Sequence, residues 1–208
     1  MINFKLNGKP ILIPTQWIEV TYAQYIKLLT LKDDTIELVA IFTDMEYEQL
    51  KKMVIVGLDQ ILTALSFINT KPEFPGSVSE CGPYKIPNNS SGAFDIQFES
   101  LGQFEDMRHV MKQELPVLQA YGKYVAIYLQ KIRDNEYNPL VVPEIEQEIL
   151  GYPAYQVITL GAFFFLKLTN SFSGTTKDSR NTPPNQRRKS STGSKRRLVP
   201  SPPSRKRR

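Results

Sequence analysis

The stretch Val20–Ile68 constrains this chain more than any other. It holds four short helical patterns in succession, VTYAQYIKLL, TIELVAIFTDM, EYEQLKKM and GLDQILTALSFI. Three of them carry a start signal. Thr21 with Gln24, Asp34 with Glu37 and Thr43 with Glu46 place an oxygen acceptor three residues ahead of a Gln or Glu, the spacing of a helix N-cap and its reciprocal partner. Apolar residues then recur three and four apart, at Tyr25, Leu28 and Leu29, at Leu38, Ile41 and Phe42, and at Leu58, Ile61, Leu62 and Leu65. The pattern predicts an α-helical unit with one apolar face per helix.

Parts of that unit recur in order. The Thr21–Leu28 segment matches Ser100–Met107 in the sequence hydroxyl, apolar, small, Gln, aromatic, any, polar, aliphatic. Val39–Phe42 is echoed by Val125–Tyr128, Glu48-Gln49 by Glu146-Gln147, and Gln60–Thr63 by Gln156–Thr159. The offsets are 79, 86, 98 and 96 residues. A diverged duplication with loop insertions accounts for this, as does reuse of one period and one cap type by unrelated amphipathic helices.

Ahead of the first cap, Ile2, Phe4 and Leu6 alternate with polar residues, and Asn7-Gly8 is a strong two-residue hairpin signal because both residues tolerate positive φ. A β-hairpin over Ile2–Pro14 is expected, packed on the helices because a lone hairpin is marginal in water. Trp17 is expected at the join as a core aromatic, with an interface anchor as the alternative. Ahead of the second cap, Tyr84–Ile86 and Phe94–Phe98 alternate within a Gly/Pro-rich stretch and read as short strands of a second hairpin. Helices are then expected over Leu101–Gln113, Pro116–Arg133, Pro143–Leu150 and Ala154–Phe172. The fold class is therefore mainly α with minor β. Residues 1–70 form a hairpin-plus-helices half, 71–99 a turn-rich connector, 100–172 a second helical half, and 173–208 a tail.

The tail changes the meaning of the net charge. Residues 173–208 hold 12 of the 26 Lys and Arg and one of the 21 acidic residues, a net of +11; residues 1–172 carry 14 basic and 20 acidic, a net of −6. An acidic body thus carries a basic extension. Ser, Thr, Pro, Asn, Lys and Arg dominate the extension, with Leu198-Val199 its one apolar pair, so it cannot bury enough surface to offset ordering entropy and is expected to be disordered. Its clusters Arg187, Arg188, Lys189; Lys195, Arg196, Arg197; and Arg205, Lys206, Arg207, Arg208 suit phosphates or acidic surfaces through counterion release. They also match nuclear-import patterns, and Ser201-Pro202 matches a kinase site; a solubilising extension explains the same composition.

Chemistry is sparse. The chain has one His, His109, and one Cys, Cys81, so neither an intrachain disulfide nor a His-based metal cluster can form. Cys81 sits in a Gly/Pro loop without the flanks of a known nucleophile family, and no phosphate-binding glycine motif is present. Glu144, Glu146 and Glu148 are explained as solvated charge at a helix N-terminus. No catalytic residue, cofactor or metal is expected. The opening MINFKLNGK lacks a signal-peptide core, and the apolar run Val157–Leu168, interrupted by Thr159, is too short to cross a bilayer. The reading is a soluble, intracellular, non-enzymatic protein. Phe163, Phe164 and Phe165 cannot all face one side of a helix. Either the last helix is central and buried, or a Phe meets a client or a second copy.

The hairpin followed by VTYAQYIKLL, VAIFTDM and DQILTALSFI, with SLGQFED at Ser100–Asp106 and FFFLKL at Phe163–Leu168, resembles the tail assembly chaperones of long-tailed bacteriophages. The resemblance covers most of residues 1–172 and rests on helix patterns. It implies a non-enzymatic helper, acting in the cytoplasm of an infected host cell, that coats the helical tape-measure protein before the tail tube assembles. The basic tail departs from that pattern. It supports a second expectation, a viral head or tail protein that stays in the virion and binds nucleic acid through residues 173–208.

Overall fold

The structure is a computed structural model and describes residues 1–6, 9–32, 34–52, 55–98 and 100–173. The expected turn residues Asn7-Gly8 and the tail from Gly174, with its ten clustered cations and Ser201-Pro202, lie outside the described residues. The chain is mainly α with a minor β part.

Strands β1 (Ile2–Leu6) and β2 (Lys9–Ile13) pair antiparallel with Ile2 opposite Ile13 and Phe4 opposite Ile11. That register gathers four apolar side chains on one face, and β2 lays this face on the second helix. A 3₁₀ turn, Trp17–Glu19, leads into α1 (Tyr22–Thr30), followed by α2 (Thr35–Thr43), α3 (Tyr47–Leu50) and α4 (Ile55–Ala64), the last prolonged by a 3₁₀ segment, Leu65–Asn69. Their shared core is Ile13, Val20, Val39, Phe42, Leu50, Ile61 and Leu65.

Two of the three expected caps form. Thr21 Oγ1 accepts from Gln24 N while Gln24 Oε1 accepts from Thr21 N at 3.0 Å, a complete capping box. Asp34 accepts from the N–H groups of Ile36 and Glu37. The third does not form. Thr43 is the buried last residue of α2, and its hydroxyl donates back to Val39 O at 2.9 Å. Glu46 instead occupies the cap position of α3 with no bond from its side chain. Asp44, at φ +52°, ends α2 first, so Thr43 satisfies the preceding turn rather than the next helix.

The second half repeats the order of elements with shorter strands and longer helices. Strands β3 (Glu80–Cys81) and β4 (Tyr84–Lys85) form a hairpin, followed by α5 (Leu101–Lys112), α6 (Val117–Asp134), α7 (Val142–Glu148) with a 3₁₀ turn Ile149–Gly151, and α8 (Ala154–Ser173). Each sequence echo falls on the matching element: α1 and α5, α2 and α6, α3 and α7, α4 and α8. Val39 and Val125, Phe42 and Tyr128, and Ile61 and Val157 are all buried.

The expected strand at Phe94–Phe98 does not form. Phe94 makes one isolated bridge, to Asn88, and the hairpin partner of Tyr84 is Cys81. The alternation was nonetheless informative. Phe94 and Phe98 pack on the rings of Phe163 and Phe164, and Ile96 between them is buried. A period of two reports one buried face of an extended chain; it does not require a neighbouring strand. Cys81, Ile86 and Ile96 thereby join the second core, so the connector packs with the second half.

Main-chain bonds clasp the halves together. Tyr22 N donates to Tyr152 O and Ala154 N donates to Val20 O, both at 2.8 Å. The Tyr22 side chain leaves its own half to enter the second core, where its hydroxyl donates to Leu118 O and its ring fills the space over Gly122; a Cβ there would lie 3.1 Å from it. Gly161 of α8 plays a similar part against α6, since a Cβ there would come within 2.5 Å of the Tyr121 Cβ and 2.8 Å of its Cα. α6 and α8 are the most extensively packed helix pair, and that glycine sets their close approach.

Candidate protein-binding groove

The described surface has an apolar groove of about 310 Å³ where α1 meets the segment after α4. One wall is Tyr25, Leu28 and Leu29 of α1 with Leu31 at its C-cap; the other is Ile68, Thr70 and Pro72, and Trp17 lies between them. α1 presents this wall because its apolar residues outnumber what one buried stripe needs: Tyr22 enters the second core, while Leu29 stays 61% exposed.

The wall is rigidly supported. The indole of Trp17 stands edge-on to Phe67, centroids 5.2 Å apart, and to Tyr25 at 6.0 Å, while Tyr25 packs edge-on to Phe74 at 5.6 Å. Trp17 Nε1 donates to Thr70 O at 3.0 Å, and the Thr70 hydroxyl donates to Phe67 O at 2.6 Å. The groove's Trp and Thr donors are therefore spent inside the protein, and the surface it turns to solvent is mixed, polar as well as apolar. Lys27, Lys32 and Lys71, neighbours in sequence of the lining residues, are all exposed. Glu73, next to Pro72, is exposed as well. Trp17 is half-buried against the first core at the join of strand and helix, and it borders the groove.

The three phenylalanines divide. Phe164 is completely buried against Phe98 and Tyr128, so it cannot meet a client without opening the core. Phe163 packs on Phe94 and Phe165 on Tyr121, both half-buried, and the exposed apolar residue of this region is Leu166, at 59%. The helical period decides this: only the position aligned with Leu160 and Leu168 faces inward. The ten cations of the expected polyanion site lie outside the described residues.

The groups weighed for chemistry are engaged elsewhere. Cys81 is fully buried, and burial pushes its thiol up to about 12, which disfavours the thiolate a nucleophile needs. Glu144 and Glu148 converge on Arg133 at 3.6 and 3.2 Å, and Glu146 pairs with Lys123 at 3.3 Å, so α7 is tied to α6 by ion pairs as well as solvated. Among the described residues no group of three or more His, Cys, Asp or Glu could hold a metal ion. No described helix is long and apolar enough to cross a membrane.

The sequence missed the groove because its walls are 40 residues apart in the chain; the signal available was Leu28-Leu29-Thr30-Leu31, one apolar residue too many for a single stripe. Comparison with protein-family models, with curated proteins and with solved structures returned no match.

Proposed function

We propose that this protein is a non-enzymatic assembly chaperone that holds an amphipathic helix of its client in the groove between α1 and the Ile68–Pro72 segment. The observation that carries the reading is a surface groove lined mostly by apolar residues whose Trp17 and Thr70 donors are already satisfied. A helix bearing aliphatic residues at i, i+3 or i+4, and i+7 fills such a groove with its apolar stripe, and acidic residues flanking that stripe meet Lys27, Lys32 and Lys71. The phage-tail resemblance names the client class, a long helical tape-measure protein, and the cytoplasm of an infected host cell as the place of action.

Trp17 is the single tryptophan and forms the groove wall, so its fluorescence reports occupancy. Titration with an acidic-flanked amphipathic helical peptide should shift Trp17 emission saturably. Leu29→Asp should weaken binding about tenfold or more at nearly unchanged stability, since Leu29 is exposed. Binding that leaves Trp17 emission unmoved, or that Leu29→Asp does not weaken, removes the groove from the reading.

A second reading, a virion protein that binds nucleic acid through residues 173–208, is favoured by the +11 charge of that segment. Its test is DNA or RNA binding across a salt series by the full chain and by a variant with the ten clustered cations changed to Gln. Affinity that falls steeply with salt in the former and is absent in the latter supports it.

A further inference from the structure

The Gln-x-x-Thr echo of α4 and α8 does different work in the two halves. In α4, Gln60 and Thr63 are exposed, and the Thr63 hydroxyl donates back to Asp59 O at 2.9 Å, within its own helix. In α8 the equivalent Gln156 and Thr159 are buried. One turn apart on one face of the helix, they reach out to the chain that joins the halves. Gln156 Oε1 accepts from Gly82 N at 2.9 Å, and the Thr159 hydroxyl donates to Pro75 O at 3.1 Å.

The Thr159 bond ends a strap, residues 70–75, that forms part of one groove wall. At the start of the strap Thr70 O accepts from the Trp17 indole. Thr70 and Pro72 line the groove. Phe74 then stands edge-on to Tyr25 of the opposite wall and packs on the second core, and Pro75 O is held by Thr159. Lys71 and Glu73, which alternate with these residues, are exposed. Residues 71–75 belong to no helix or strand, and two of them are prolines, which have no N–H to donate. Its place therefore depends on anchors at its two ends and at Phe74.

We propose that Thr159 is a positioning residue for the groove. It belongs to the second half and is not among the groove's lining residues, yet its hydroxyl fixes the far end of the strap and so sets how Thr70 and Pro72 face α1. The α1 wall is moored to the same half through the Tyr22 clasp. The shape of the groove is thus set by a core that the groove does not belong to. The consequence for client binding rests on the proposed use of the groove; the effect on the free protein does not.

The test compares the full-length protein with Thr159→Val, which keeps the branched shape and removes the donor, and with Thr159→Ser, which keeps the donor. Pro75 is exposed, so water can take over its carbonyl in Thr159→Val and the fold should persist. The first readout is acrylamide quenching of Trp17, the single tryptophan, in the free proteins. Quenching should rise in Thr159→Val, because Thr70 is no longer held against the indole, and stay near the wild-type level in Thr159→Ser. The second is titration with the acidic-flanked amphipathic helical peptide. Thr159→Val should bind it about threefold or more weakly, since the groove holds its binding shape for a smaller fraction of the time, and Thr159→Ser should bind like the wild type. Should Thr159→Val fail to fold, Phe74→Leu, which stays apolar but loses the edge-on contact with Tyr25, takes its place with the same expectations. Unchanged quenching overturns the positioning role, even where the urea midpoint falls. Raised quenching with unchanged peptide affinity overturns its bearing on binding. A wild type that does not bind the peptide removes the helix-binding reading, and the quenching comparison then decides the strap by itself.

Discussion

The two halves run through the same order of elements, yet one builds a core about three times larger than the other. The first half joins helices of 9, 9, 4 and 10 residues around seven buried apolar side chains among the described residues. The second joins helices of 12, 18, 7 and 20 residues around 22, of which Tyr22 is contributed by α1. Helices as short as those of the first half are marginal on their own and depend on what they pack against. The first half is stapled to the second by the Tyr22 and Val20 clasp, and the groove opens beside that staple. A region with fewer buried contacts opens more readily.

The largest expected effect separates the cores. Phe164→Ala should cost about 3–5 kcal/mol and unfold the whole molecule, because its ring is enclosed by α6, α8 and the Phe98 segment. Ile61→Ala should cost about 2–4 kcal/mol and release amide protection mainly in α2 to α4. Urea unfolding with hydrogen exchange checks this, and equal loss of protection in both halves from Ile61→Ala breaks the distinction.

Gly161→Ala tests how tightly α6 and α8 approach. The added methyl meets Tyr121 backbone and side chain, so overpacking of about 1–3 kcal/mol should outweigh the gain in helix propensity. Tyr22→Phe keeps the ring and removes the bond to Leu118 O; a loss of about 1 kcal/mol is expected, with exchange rising across α1. The caps should differ in the same direction as their bonding. Thr21→Ala, which breaks a reciprocal box, should cost about 1 kcal/mol, and Ser100→Ala somewhat less.

Cys81 sharpens the comparison through pH. Burial raises its thiol from the usual 9 to about 12, so the folded state favours the neutral form. That contribution to stability is fully present below pH 9 and is lost as pH rises from 9 through 12. Thiol labelling of the native protein at pH 8 should therefore be slow and limited by opening of the larger core. Rapid labelling would mean that β3 opens independently of it.

Much of the fold was legible because it is local. Thr21, Asp34 and Ser100 mark helix starts by bonding within three residues of themselves, and apolar periodicity found Phe42 of α2 and Ile61 and Leu65 at the end of α4, all in the first core. Even Phe94, Ile96 and Phe98 announced a buried face, although the strand they suggested never forms. What the sequence alone could not decide depends on residues far apart in the chain. Thr43 caps nothing because Asp44 ends its helix first; Gln103 turns from its cap toward Ile127 O in the second core; and Tyr22 crosses into the other core because Gly122 leaves room. The groove exists only where Leu28 and Ile68 are brought together. Local bonds depend on residue type and spacing, which the chain displays openly, whereas a site is a meeting of surfaces and is fixed by how the cores pack.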